Sequence, residues 1–299
     1  MSGKLKEVRE RIKSVNSTQQ ITKAMKMVSA AKLRKAQQAI TEMRPYANKL
    51  DKMLKNILSN LDGDASTSFG VKRDVSQAAV VVVTSNRGLC GAFNTNIIKA
   101  AISSIEGEFA PLLKNKKLSI ICIGKKGYDV LKKRYGTEIV KSDYVDVFAD
   151  LSFNNVARVS QYLMDSFKNT NFDKVIVCYG HFKNAAMQFP TSVQFLPVDI
   201  MDSEKSQAVI KTKADYIFEP SKEKLLEELI PTILQTTFQK FLLDTHASEH
   251  GARMTAMDKA SENAEELVKG LKIVYNKARQ EAITKELSEI VAGAAALGG

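Results

Sequence analysis

Residues 33–61, LRKAQQAITEMRPYANKLDKMLKNILSNL, carry an apolar side chain at every third or fourth position: Leu33, Ala36, Ile40, Met43, Ala47, Leu50, Leu54, Ile57 and Leu61. A stripe this narrow suits a helix lying against one partner helix rather than on a broad core. The same register is present upstream at Leu5, Val8, Ile12 and Val15. Between the two blocks its positions are polar, at Gln19, Thr22, Lys26 and Ser29, and apolar groups move to Ile21, Met25 and Val28. That stretch is expected to turn a different face toward its neighbours. Pro45 is expected to kink the helix or to end it one residue earlier, because proline lacks an N–H and crowds the preceding turn. A helix of about 58 residues would span roughly 87 Å, too long for a compact domain of this size.

The far end of the chain mirrors this arm. Met257, Ala260, Ala264, Leu267, Leu271, Val274 and Ala278 keep a strict 3-4 spacing, and several are small enough to let two helices approach closely. Upstream, Leu226, Leu229, Ile233, Phe238, Phe241 and Leu242 make a looser stripe, with Pro231 a second expected kink. Residues 1–60 hold 14 Lys/Arg against 4 Asp/Glu, a net of +10, whereas residues 221–299 hold 10 against 12, a net of −2. Opposite charge and matched seams predict an antiparallel intramolecular coiled coil. The sequence closes on the nearly uncharged apolar run 290–299, which calls for a partner socket to cover it.

Between the arms the pattern changes. Residues 78–83, 118–123 and 175–178 are short β-branched runs suited to strands buried on both faces, separated by helical stretches near 94–109, 125–134 and 153–169. Residues 186–197, with Pro190 and Pro197, read as an edge strand. The fold class expected is α/β plus long helices, a coiled coil of the two terminal helices with a central Rossmann-like α/β domain. The expected domains are an N-terminal helix at 1–61, the α/β domain at 75–200 and a C-terminal helix at 221–299, with 62–74 and 202–220 as connections.

Chemistry is scarce. His246 and His250, in HASEH, fit the H-x-x-E-H spacing of inverted zinc proteases. The plainer reading puts both on the outer face of a long helix. Residues 86–92, NRGLCGA, follow a strand and precede a helix, where phosphate loops occur, yet match neither G-x-x-x-x-G-K-[ST] nor G-x-G-x-x-G. Gly124-Lys125-Lys126-Gly127 fits no better. The plainer reading there is a tight glycine turn. Cys90, Cys122 and Cys178 are odd in number and form no CxxC pair, so neither a disulfide framework nor a zinc site is expected. No apolar run approaches the length of a membrane-spanning helix, and residues 1–7 do not read as a secretory or transit leader. The total charge of +11 leaves a basic coiled-coil nucleic-acid-binding protein as an alternative, with a zinc hydrolase as the enzymatic one.

Four motifs then carry a family resemblance. Residues 11–15 with 18–34, RIKSV and TQQITKAMKMVSAAKLR, resemble the opening helix of the gamma subunit of rotary ATP synthases, bacterial type. Residues 85–94, SNRGLCGAFN, are similar to that family's central-domain loop, and residues 248–257 and 283–294 to its C-terminal helix. The resemblance implies a rotor shaft, one copy per complex, inside a hexamer of alternating alpha and beta subunits. It would couple rotation of a proton-driven membrane c-ring to the catalytic sites of the beta subunits. The C-terminal tip, including Ile290, Val291 and Leu297, would sit in an apolar bearing. The α/β domain would dock at the foot on the c-ring and the epsilon subunit. Arg279 and Gln280 match the pair that meets an acidic loop of the beta subunit, and Met25, flanked by Lys23 and Lys26, faces the same subunits. The resemblance further implies a non-catalytic subunit with no cofactor, no direct nucleotide binding and no nucleic acid. It would lie peripherally on the cytoplasmic face of the bacterial inner membrane. No middle-domain cysteine pair is present, so thiol control of rotation is not expected.

Overall fold

The computed structural model describes residues 3–59, 69–71, 73–198 and 222–297. Helix α1 (Gly3–Ser59) is followed by β1 (Ala78–Val83), α2 (Phe93–Glu106), α3 (Ala110–Lys114), β2 (Leu118–Ile123), α4 (Lys125–Tyr135) and β3 (Val140–Lys141). After a 3-10 turn at Val145–Ala149 come α5 (Phe153–Lys168), β4 (Lys174–Phe182), β5 (Gln188–Leu196) and α6 (Lys222–Leu297). Two compact units result, Met1–Ala30 with Arg253–Gly299, and Ala31–Ala252. The expected connections 62–74 and 202–220 lie largely outside the described residues, as do Leu61 and the side chains of Leu54, Ile57, Leu226 and Leu297.

In the second unit the strands form one sheet in the order β3-β2-β1-β4-β5. The first four run parallel, and β5 returns antiparallel to β4 as an edge. Every residue of β1 is buried because both faces are covered. Ala79, Val81 and Val83 join a core with α5 and the early part of α6, while Ala78, Val80 and Val82 join one with α2 and α4. That is why the run reads as continuous aliphatics with no polar alternation. The expected helix near 94–109 is interrupted: α2 stops at Glu106, and α3 restarts with proline in its first turn. Pro45 does not end α1, and Pro231 lies within α6. Strand β3 escaped the sequence reading because two residues carry no periodicity.

Asp173 ties the entrance of the sheet together. Its buried carboxylate accepts from the Ser76 amide (2.9 Å), the Ser76 hydroxyl (2.7 Å) and the Gln77 amide (3.0 Å). Burial alone would push its pKa up. The hydrogen bonds from Ser76 and Gln77, with Arg73 nearby, outweigh burial and hold it below the usual range.

Helix α6 lies along β4. Phe238 packs on Phe195 at 5.4 Å between ring centroids, and Phe241 on Tyr179 at 4.6 Å. Further on, Thr245 Oγ1 accepts from the Gly180 amide (3.3 Å), and the Ser248 hydroxyl donates to the Gly180 carbonyl (3.0 Å). A Cβ on Gly180 would stand 2.7 Å from the Phe93 ring, so glycine is needed where three elements meet.

Candidate interaction surface on the paired helices

Within the first unit the two helices run antiparallel. Lys4 approaches Glu281 at 3.8 Å, Arg9 donates to the Tyr275 hydroxyl at 2.9 Å, and Lys26 pairs with Asp258. At the centre Thr22 Oγ1 and Ser261 Oγ are 2.6 Å apart, and the Gln19 amide reaches the Ser261 carbonyl. The polar positions of residues 19–29 therefore keep the seam instead of turning away. Thr22 and Ser29 are buried, while Ile21 and Val28 are 60% and 57% exposed. The reason lies on the other helix, where Ser261 and Asp258 supply partners that make a polar layer cheaper than a rotated helix.

The C-terminal seam also differs from the expected register, by one residue in alternate layers. Met257, Ser261, Ala264, Val268, Leu271 and Ala278 are buried, with Tyr275 and Ala282 half-buried between and beyond them. Leu267 and Val274 point outward, 45% and 46% exposed, and Ile273 is 71% exposed. A 4-3 reading fits the same stretch as well as the 3-4 reading, and only the partner helix decides between them. Past Glu281, α6 continues beyond the first described turn of α1. Ile283, Leu287, Ile290 and Val291 then form an exposed apolar stripe at i, i+4, i+7 and i+8.

The candidate partner-binding residues fall at three levels of this pair. Met25 is half-buried beside the Lys26–Asp258 contact. Arg279 and Gln280 are exposed next to buried Ala278, and lie 21 residues above Asp258, roughly 30 Å along the helix. Ile290 and Val291, 66% and 67% exposed, lie higher still. Leu297 closes α6, with its side chain outside the described residues. Met25, Arg279, Gln280, Ile290 and Val291 are thus spread along the helices and do not gather in one pocket. Ile283 and Leu287 share the exposed face of Ile290 and were missed, though their spacing of seven and three residues from it was visible in the sequence; Ile273, six residues past Leu267, is exposed as well and had no such signal.

The chemical candidates resolve into packing. His250 is buried and His246 half-buried, their Nε2 atoms 3.1 Å apart, so they face the protein interior and not the outer face of the helix. Phe148 packs edge-on to His246 at 5.9 Å. Among the described residues no group of three or more His, Cys, Asp or Glu side chains gathers as a metal site would require. The 86–92 loop is braced from within. Asn94 Oδ1 accepts from the Ser85 amide, the Ser85 hydroxyl donates to the Arg87 carbonyl, and the Asn86 side chain accepts from the Lys125 amide. Strand order reverses between β1 and β4, the place where dinucleotides dock in related sheets, but here Phe93 and the α6 residues Thr245 and Ser248 cover the end of β4. Burial pushes the thiol of Cys122 up to about 12 and that of Cys178 to about 11, which removes both as nucleophiles.

Fold and surface together define a coiled-coil protein with a central α/β domain and apolar side chains left exposed along its paired helices. A family model described as ATP synthase matches residues 4–297. The ATP synthase gamma chain of Cytophaga hutchinsonii is 52% identical over 98% of both chains, and that of Flavobacterium psychrophilum is 52% identical over 99% of both. A chain in the cryo-EM structure of the Euglena gracilis mitochondrial ATP synthase (OSCP/F1/c-ring) shares the fold. Its TM-score is 0.64 at 23% identity, over 99% of this chain and 95% of that one. The chain belongs to the ATP synthase gamma-chain family, and the nucleic-acid alternative finds no support.

Proposed function

We propose that this chain is the turning central shaft of a proton-translocating ATP synthase, one copy per hexamer of alpha and beta subunits, and carries no catalytic site itself. The observation that carries this reading is the antiparallel helix pair with apolar side chains left outward along it and past the end of α1. An asymmetric rod of this kind acts by differential binding. Each orientation presents a different face to each surrounding subunit and stabilises one of its conformations over the others. Ile21, Val28, Leu267, Ile273 and Val274 supply the apolar part of that asymmetry. The net +10 of residues 1–60 supplies attraction to carboxylate-bearing walls.

Arg279 and Gln280 meet an acidic loop of the beta subunit, and Met25 faces the same subunits lower down. Ile290, Val291 and Leu297 turn in an apolar bearing. The α/β domain meets the c-ring and the epsilon subunit on the cytoplasmic face of the bacterial inner membrane. No helix among the described residues is long and apolar enough to cross a membrane.

Co-expression with the alpha and beta subunits of the same organism tests the proposal. The expected product has one copy per three alpha–beta pairs and MgATP hydrolysis that depends on this chain. In that complex Arg279→Ala or Gln280→Ala is expected to lower turnover by about tenfold, the loss of one charge-assisted contact, with assembly unchanged. A competent alpha–beta hexamer that excludes the chain would overturn the reading.

A further inference from the structure

The amino-terminal rim of the sheet carries a basic surface that the shaft reading does not use. Three loop ends meet there: the end of α2 at Glu106, the α3–β2 junction at residues 114–117, and the end of α4 at residues 132–138. Arg134 and Tyr135 both donate to Glu106, and Lys116 bonds Glu138 at 2.8 Å, which stitches the three together. Lys132 pairs with Asp129. Lys114, Lys117 and Lys133 are exposed, and none has a carboxylate within salt-bridge distance among the described residues. The rim therefore presents three lysines with no carboxylate partner among the described residues, Lys114 and Lys117 at the α3–β2 junction and Lys133 in the last turn of α4. No large apolar side chain is exposed among residues 106–117 or 132–138.

That combination favours one kind of partner. A protein interface of this size wants a buried apolar or arginine anchor, and fixed carboxylates favour the planar fork of arginine. Loose lysines at these loop ends suit a mobile field of phosphates, where each contributes through the surface potential without a set geometry. Orientation within the unit agrees. Phe238 of α6 packs on Phe195 near the start of β4, and Ser248 bonds Gly180 near its end, so α6 runs alongside β4 in the same direction. Within this unit the rim thus lies at the end of the sheet where strand β4 starts and Phe238 packs.

We infer that Lys114, Lys117 and Lys133 form a docking surface for the anionic phospholipid headgroups of the membrane on which the complex sits. The inference rests on the shaft reading for its membrane, and adds a direct contact between the foot and lipid. The test uses the alpha–beta complex containing this chain, without the membrane sector. Flotation with vesicles of phosphatidylcholine alone, and of phosphatidylcholine with phosphatidylglycerol, is compared for the native complex and for Lys114→Glu/Lys117→Glu/Lys133→Glu. Each lysine near an anionic surface is worth about a fivefold change in partition, so losing three, with three glutamates adding repulsion, is expected to weaken binding to the anionic vesicles by at least about 100-fold. Native binding is expected to fall with salt and to be absent on phosphatidylcholine, while MgATP hydrolysis stays equal in the two complexes. Equal binding of the two complexes, indifference to phosphatidylglycerol, or loss of vesicle binding to competing RNA at equal charge would each overturn the inference. If no complex assembles, the shaft reading fails on its own. The full chain, native and triple variant, then goes through the same vesicle comparison with the same outcomes.

Discussion

Replacing Thr22 and Ser261 with cysteine should lock the helix pair without stopping the motor. Their hydroxyl oxygens lie 2.6 Å apart, which brings the two Cβ atoms to about the spacing a disulfide spans, roughly 3.5–4.5 Å. The residues are 239 positions apart in sequence. Chain-entropy bookkeeping for so long a loop gives about 5 kcal/mol as the upper bound on stabilisation, less whatever strain the bridge introduces. The native thiols do not compete, since Cys90, Cys122 and Cys178 are all buried. The assay is performed on the assembled alpha–beta complex. Mild oxidation should shift the chain on non-reducing gels and raise its melting temperature, and reductant should reverse both. MgATP hydrolysis should be the same in the two states, because a shaft that transmits torque as one body needs no sliding between its helices. Failure of the bridge to close would refute the Thr22–Ser261 pairing. Closure with hydrolysis lost, and regained on reduction, would refute the rigid-shaft reasoning while leaving the geometry standing.

Asp173→Asn should cost about 2 kcal/mol near pH 7, since an amide accepts fewer of the three donors. The native carboxyl has a lowered folded-state pKa, so its contribution is fully present above about pH 4 and is lost as pH falls through that lower value. The variant should lack this acid-dependent step, and parallel unfolding curves between pH 3 and 7 would contradict it. Gly180→Ala should destabilise the α/β unit by about 1–3 kcal/mol through the Phe93 contact, whereas Gly270→Ala, with nothing within 4 Å, should stabilise α6 by about 0.5–1 kcal/mol. Thermal unfolding of the two complexes checks the opposite signs. Cys122 and Cys178 should resist an aromatic disulfide reagent at pH 8 until denaturant is added, and prompt labelling would show the sheet to be more open than its packing.

The helical arms and the sheet were legible because their signals are local. Six consecutive aliphatics in β1 admit few readings, and a seam repeating over dozens of residues admits no element but a helix, whatever its register. What failed was whatever depends on a second segment. Thr22 and Lys26 looked like a break in the seam because Ser261 and Asp258 lie more than 230 residues away. Leu267 and Val274 looked like core because a one-residue offset between 3-4 and 4-3 spacing cannot be decided on one helix. His246 and His250 looked solvated because polarity suggested it, and only the approach of Phe148 and the Gly180 strand to α6 buries them. Among the candidate partner-binding residues, Met25, Arg279 and Gln280 came from family resemblance and the apolar run at 290–299 from the residues themselves, while the exposed stripe from Ile283 to Val291 follows from knowing where α1 begins to cover α6.

The polar layer has a mechanical consequence. A helix pair sealed by alanine, valine and leucine can slip by one heptad, about 10 Å, and find nearly equivalent neighbours at every apolar level. The polar contacts between the helices differ, and Thr22 makes the most buried of those that join side chain to side chain. After such a slip it would face the neighbourhood of Val268 or Met254, and its buried hydroxyl would lose the cross-helix bond at a cost of about 1–3 kcal/mol. Axial load on the helix pair is thus resisted chiefly at this buried polar layer, with the exposed Arg9–Tyr275 and Lys4–Glu281 contacts adding less, and the apolar levels between are free to be smooth.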